Sequence, residues 1–512
     1  MRKLSIVLAA SGVLFGVSAN AVVVNNTIPP ANYPDVKKPA KKQFKSAKEL
    51  KTQTPIKHVI VIFQENNSFD RYFGTYPNAL NLPGEPKFIA KADTPSVNGL
   101  TKQLLTQNPN LIQPYRLTND FQPCSQDHDH EPEILATNGG LMNKFVEDGS
   151  YKTDDYKNKC QGQVMGYYDG NTVTALWNYA QNYALNDNSF VTIFGPSTPG
   201  ALNLVAGTNG KASSPNGEDD KIIQNGYIIE DPNPVYDDCS YGSSKSGSAT
   251  TMVAKMNNIP NVGDMLSRDS VTWGWFQGGF TPSSIDNGVA ICNQVTKNIY
   301  GVAKSDYNPH HQPFQYFAAT ANPHHLAPSA TKMIGSTDQA NHQYDMTDFW
   351  TAAEAGNLPA VSYLKAPNFQ DGHGDYSNPR DEQEWLVNNV NRLQKLPEWK
   401  NTAIIIAWDD TDGDYDHVAP PKSQFGDVAG RTGYGTRVPL LVISPWAKSN
   451  YVDHTQTDQS SILKFIEYNW NLPMLGKDSN DQYAGSMLNM FDFKAKPNNK
   501  FLILDPKTGL VK

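Results

Sequence analysis

The chain has 512 residues, 38% of them hydrophobic and 18% charged, the composition of a chain that buries a core rather than one that stays disordered. By length alone it could form two or three domains. A formal net charge of −8 excludes a nucleic-acid binder that works through a basic surface.

In chain order, Met1-Arg2-Lys3 precede an apolar run from Leu4 to Val17, and Ala19-Asn20-Ala21 matches a small-residue cleavage pattern. The run is too short to span a bilayer, so residues 1–21 read as a secretory signal peptide. Its removal takes Arg2 and Lys3 and no acid, moving the net charge from −8 to −10. The mature protein is expected to be exported, periplasmic or secreted, with no transmembrane segment. Residues 22–57, rich in Lys and Pro, read as a solvated linker. Their lysines leave a phospholipid surface open as a partner. No clean linker or repeat follows, which favours one domain over residues 58–512.

Buried strands are predicted at 58–64, 271–277, 361–365, 402–408 and 437–444, where near-continuous apolar runs suit a parallel sheet covered on both faces. Helical periodicity is visible at 173–183, 341–356, 382–396 and 459–470. Asp381-Glu382-Gln383-Glu384 opens one of these with acids, as a helix N-terminus prefers. Residues 207–221 and 236–250 are rich in Gly, Ser, Asn and Asp and read as loops. The fold class is α/β: a mostly parallel central sheet, helices on both faces and long loop insertions.

Two predicted strands end in oxygen-bearing side chains. The strand 58–64 runs into Glu65-Asn66-Asn67-Ser68 and Asp70. The strand 402–408 runs into Asp409-Asp410-Thr411-Asp412. Ligands of open α/β sheets sit beyond the carboxyl ends of strands, and oxygen-only donors favour Mg²⁺, Ca²⁺ or Mn²⁺. Neighbouring residues on an extended strand face opposite ways, so each pair converges on one ion only if the chain turns there. The string Asp409–Asp416 resembles a calcium loop but lacks its closing Glu. Ser197, in Gly195-Pro196-Ser197-Thr198-Pro199-Gly200, falls at a helix start, where it could cap the helix or face an anion. No GxSxG elbow surrounds it, which disfavours a hydrolase triad. Histidines cluster at His128 and His130, His310-His311, His324-His325 and His373. Zinc ligation, phosphate binding and general-acid roles all remain open for them. Cys124, Cys160, Cys239 and Cys292 are an even set that favours two disulfides. Three connectivities exist; sequential pairing is preferred because each bridge then staples a long polar excursion.

Six motifs in order carry a resemblance: HVIVIFQENNSFDRYFGTYP at 58–77, FGPSTPG at 194–200, TWGWFQGG at 272–279, NPHHQPFQYF at 308–317, IIIAWDDTDGDYDHVAPP at 404–421 and RVPLLVISPWAK at 437–448. Over most of residues 55–472 the chain resembles the bacterial phosphoesterase family that includes the nonspecific phospholipases C, and within it the secreted acid phosphatases. The resemblance implies an alkaline-phosphatase-like α/β sandwich and a metal-linked hydroxyl nucleophile. Carried over, Glu65, Asn66, Asp409 and Asp410 match metal ligands, and Ser197 matches the nucleophile and fifth ligand. His128, His310, His311 and His373 match the histidines around the phosphoryl group. The implied activity is a metal-dependent acid phosphatase that hydrolyses phosphomonoesters through a phosphoserine; the alternative is a phospholipase C acting on phospholipids. The phospholipase branch usually has Asp-Glu where this chain has Asp409-Asp410, and Thr where it has Ser197. Both departures favour the phosphatase.

Overall fold

His58–Gln64 (β1) is a run of five branched or aromatic residues between two polar ones, and all seven side chains are buried. A strand so apolar needs cover on both faces, and the chain supplies it. The computed structural model describes residues 32–512 except 151–159, 161, 216–220, 242–251, 423–426 and 429–430. The predicted leader, 1–21, lies outside the described residues. In chain order the remaining strands of the main sheet are Ala184–Asn186 (β2), Trp273–Gln277 (β3), Gln343–Asp345 (β4), Val361–Lys365 (β5), Thr402–Trp408 (β6), Leu440–Ile443 (β7) and Tyr451–Asp453 (β8). Their spatial order is β4-β3-β5-β1-β6-β7-β2-β8. All pairings are parallel except those of β7, which runs antiparallel to both β6 and β2. The expected mostly parallel sheet is therefore present.

Alternation along β1 divides the core. Val59, Val61 and Phe63 face one layer, with helices Ser197–Ala206, Val262–Arg268 and Gln459–Trp470. Ile60 and Ile62 face the other, with helices Thr174–Asn182, Met346–Glu354 and Pro379–Gln394. Among the described residues, no helix is long and apolar enough to cross a membrane.

Several predicted boundaries shift for identifiable reasons. The helix predicted at 341–356 starts at Met346, because 343–345 pair as β4 and Asp345 then caps the helix by accepting from Thr347 N. The helix predicted from 382 starts at Pro379, capped by Asn378, which accepts from Arg380 N and Asp381 N. The strand predicted at 437–444 narrows to 440–443. Pro439 has no N–H for a ladder, and Arg437 turns its guanidinium to Asp416 and Asp70. Of the solvated linker predicted at 22–57, residues 22–31 lie outside the described residues, and 32–57 lie along the body, with Phe44, Ala47 and Ile56 buried and Lys42 bridging to Thr337. Within the predicted loops, 212–213 pair in a small sheet and 238–241 form a short 3-10 turn. The bridges are Cys124–Cys160 and Cys239–Cys292, the sequential pairing.

Candidate active site

β1 and β6 lie side by side in parallel, so their polar ends leave the sheet together. The ladder continues past the strands, with Asp409 N donating to Gln64 O and Asn67 N to Asp410 O. The turns that convergence requires are present. Asn66 has φ 27°, and its N–H donates to Asp409 Oδ1 at 3.1 Å. Asp410 N also donates to Asp409 Oδ1, and Asp412 N donates to Asp410 Oδ1, both at 2.8 Å. These side-chain-to-backbone bonds curl the chain so that consecutive residues face one space.

The third component comes from the helix Ser197–Ala206, which we label α1. Gly195 has φ 123°, a conformation that L side chains avoid, and it turns the chain into the helix. Glu133 holds this turn from behind. It accepts from Gly195 N and from Thr411 Oγ1, each at 2.8 Å, and so ties the serine loop to the Asp409–Asp412 loop. Burial pushes the Glu133 carboxyl up to about 7. Ser197 is the first helical residue rather than a cap, and its Oγ lies 3.1 Å from both Glu65 Oε2 and Asp410 Oδ2. The hydroxyl has one proton to share between two carboxylates.

The histidines surround this centre. His311 Nδ1 is 3.2 Å from Glu65 Oε1, and its ring lies 4.4 Å from that of His310. Asn308 Nδ2 reaches both imidazoles, at 3.1 Å to His310 Nε2 and 2.9 Å to His311 Nε2. His128 Nε2 is 3.3 Å from Asn66 Nδ2, while its Nδ1 donates to Gln126 O at 2.8 Å. Burial alone would depress His128, but Asp410 and Asp412 hold it well above its ordinary value. His373, 5.7 Å from His128 ring to ring, goes the other way: burial and the neighbouring His128 charge push it well below. Glu65, Asn66, Ser197, Asp409, Asp410, His128, His310, His311 and His373 therefore lie around one centre. His130, whose Nδ1 donates to Phe194 O at 2.7 Å, stays at the rim of the cavity. His324 and His325 pair with Asp238 and Asp237 away from it.

Three further charged side chains around this centre had no signal in the sequence. Lys365, fully buried at the end of β5, sets its ammonium against Glu65 Oε1 and 3.7 Å from Asp409. Asp371 is buried beside them, and burial followed by the Lys365 charge acts on a carboxyl that remains raised. Asp231 accepts from Thr198 N at 2.8 Å and lies 3.5 Å from His310 Nε2.

The centre suits a hard cation. Glu65, Asp371, Asp409 and Asp410 are buried carboxyls, faced by Lys365 and His128. Burial and Asp409 raise both Glu65 and Asp410, the signature of carboxylates short of positive charge. Asn66 Oδ1 is buried and accepts no hydrogen bond. Ligand atoms also gather at Glu65, His311 and Asp371 and at His128, His373 and Asp412, among the described residues. A cavity of about 1290 Å³ opens over the centre, bordered by Pro196, His128, His310, His373 and Asp231.

A model of the phosphoesterase family matches residues 56–473. The non-hemolytic phospholipase C of Burkholderia pseudomallei is 24% identical over 81% of this chain and 55% of its own. The namesake of Pseudomonas aeruginosa is 24% identical over 87% of this chain and 58% of its own. The chain thus spans little more than half the length of these two relatives. Phospholipase C A of Mycobacterium tuberculosis is 22% identical over 87% of this chain and 79% of its own. A solved protein in the alkaline phosphatase superfamily from Vibrio parahaemolyticus aligns at 12% identity, covering 62% of this chain and 65% of its own. Its TM-score of 0.30 is too low to add to the fold described above.

Proposed function

Because the chain belongs to the phosphoesterase family, we propose that it is an exported, metal-dependent hydrolase that cleaves phosphomonoesters through a phosphoserine on Ser197. One observation carries the reading: Ser197 Oγ sits at the start of a helix and within 3.1 Å of two buried carboxylates, Glu65 and Asp410. Glu65, Asn66, Ser197, Asp409 and Asp410 would hold a divalent ion of the Mg²⁺, Ca²⁺ or Mn²⁺ class, and what it supplies when bound is positive charge that lowers the pKa of the serine hydroxyl.

The chain's own groups do the rest. Ser197 Oγ attacks phosphorus while the bond to the leaving alcohol breaks, so one P–O bond replaces another. The free N–H groups at the start of α1 receive phosphoryl oxygens. His128, held cationic by Asp410 and Asp412, stabilises the charge on those oxygens. His310, open to the cavity, gives the departing alkoxide its proton. Water then hydrolyses the phosphoserine and restores the hydroxyl. With a divalent ion held there the ionised hydroxyl would be favoured and its proton would pass to water, so the site would need no triad base. Two disulfides suit a protein that works outside the reducing cytosol.

The relatives' names favour a second reading, a phospholipase C that cleaves phosphodiesters on the same site. Paired assays separate the two. Purified protein supplied with a divalent ion is expected to turn over p-nitrophenyl phosphate faster than phosphatidylcholine, to lose both activities in EDTA, and to lose about 10³-fold or more in kcat as Ser197→Ala. Faster turnover of the lipid would establish the second reading. A folded Ser197→Ala protein of full activity would remove the nucleophile from both.

A further inference from the structure

The helix start that the proposed mechanism assigns to the phosphoryl group already has an anion on it. Pro196, the residue before α1, provides no side-chain cap. Asp231, some thirty residues downstream, provides one: its Oδ1 accepts from Thr198 N at 2.8 Å, and its Oδ2 lies 3.5 Å from His310 Nε2. One carboxylate thus faces the Thr198 N–H, next to the attacking serine, and the His310 imidazole, and it does so at the wall of the cavity. The loop that carries it is anchored, since Tyr316 Oη donates to the carbonyl of the next residue, Pro232. The charged and titratable groups facing it among the described contacts include His310, His128, Glu230 and Tyr316.

A carboxylate so placed is an odd neighbour for a phosphate. Held in place by these contacts when substrate arrives, it repels the substrate's charge, and that repulsion costs more for a doubly charged phosphoryl group than for a singly charged one. We propose that Asp231 is a specificity-determining residue that selects singly charged phosphoryl groups, resting on the reading of this site as a phosphoester hydrolase. Two substrate classes satisfy that condition. One is the phosphodiester, singly charged at any working pH. The other is the phosphomonoester below the second ionisation of its own phosphate, near pH 6. The same carboxylate is therefore compatible with both readings of the site, an acid phosphatase and a phospholipase C.

The test uses two esters with the same leaving group: p-nitrophenyl phosphate, a dianion at pH 7.5, and methyl p-nitrophenyl phosphate, a monoanion. Asp231→Asn keeps the shape and an oxygen to accept from Thr198 N. The ratio of kcat/KM for the dianion over the monoanion is expected to rise by about tenfold in Asp231→Asn, and inhibition by inorganic phosphate to strengthen in parallel. A residue that only capped the helix or oriented His310 would lower both substrates together and leave the ratio in place; that outcome overturns the proposal. Should Asp231→Asn not fold, Asp231→Ser, which also keeps an acceptor, is read by the same ratio. Wild-type protein that cleaves neither ester overturns the functional reading, and this inference with it. Cleavage with an unmoved ratio overturns this inference alone.

Discussion

Lys365 sits where three carboxyls converge, and its ammonium is the one fixed positive charge placed directly against Glu65 among the described contacts of that residue. Removing one partner of a buried ion pair leaves the other charge without compensation. Lys365→Met is expected to lower the free energy of unfolding in chelator by about 3 kcal/mol, read by urea denaturation, with part of the loss recovered on adding a divalent ion. Unchanged stability would show that Glu65 does not depend on the lysine. Lys365 was hidden in the sequence because a lysine closing Val361-Ser-Tyr-Leu-Lys reads as the solvent end of a strand. Asp231 and Glu133 were hidden for another reason: each acts on a backbone N–H of a distant segment, and no spacing encodes such a contact. Glu65, Asn66, Asp409 and Asp410 were legible as polar residues at the ends of apolar strands, but only the six motifs together distinguished them from Asn67, Ser68 and Asp70. Those three turn out to support the neighbourhood, Ser68 by capping the turn at 69–73 and Asp70 by pairing with Arg437 and His417.

The placement of α1 depends on a close approach between elements. Gly200 lies one turn into the helix, and a Cβ there would sit 2.2 Å from the carbonyl oxygen of Asp409. The helix thus rests its backbone on the end of β6, which is what brings Ser197 to the carboxylates. Gly200→Ala must push the helix off the strand end, at a cost of about 1–3 kcal/mol. A shift of that kind is expected to lower kcat by about 10²-fold, measured against the accompanying change in melting temperature. A variant that keeps wild-type kcat would mean that the serine does not need this seating. The strands at 58–64, 361–365 and 402–408 and the helix at 459–470 were legible to the residue, because long apolar runs and a full helical period leave little choice. The three-residue strands β2, β4 and β8 were not. They are too short to show a period, and tertiary pairing alone makes them strands.

For the molecule as a whole, the excess of buried acid has a consequence for stability. Burial pushes Glu382 up to about 7 despite hydrogen bonds from Tyr72 and Gln64, and burial together with Asp481 pushes Glu467 up to about 9. Each binds a proton in the folded state that it releases when unfolded. Their contribution is therefore complete below the unfolded value near 4.5 and is lost as pH rises through the folded value. His342, pushed down to about 4 by burial, opposes this only below its ordinary value of 6.5. The melting temperature in chelator is expected to fall steadily from pH 6.5 to pH 8, by calorimetry; a flat or rising profile would contradict the assignment. The order of the sheet carries a different consequence, one of timing. Among the described strands of the main sheet β1 comes first and stands at the centre, yet both of its neighbours lie far downstream: Val59 pairs with Val361, and His58 with Thr402. A nascent chain that stops short of Val361 has an apolar strand without either sheet neighbour, and one that stops short of Asp410 has a serine with only one of its two carboxylates. The candidate site is thus assembled late in synthesis, only once the strand Thr402–Trp408 and the loop after it have been made and paired with β1.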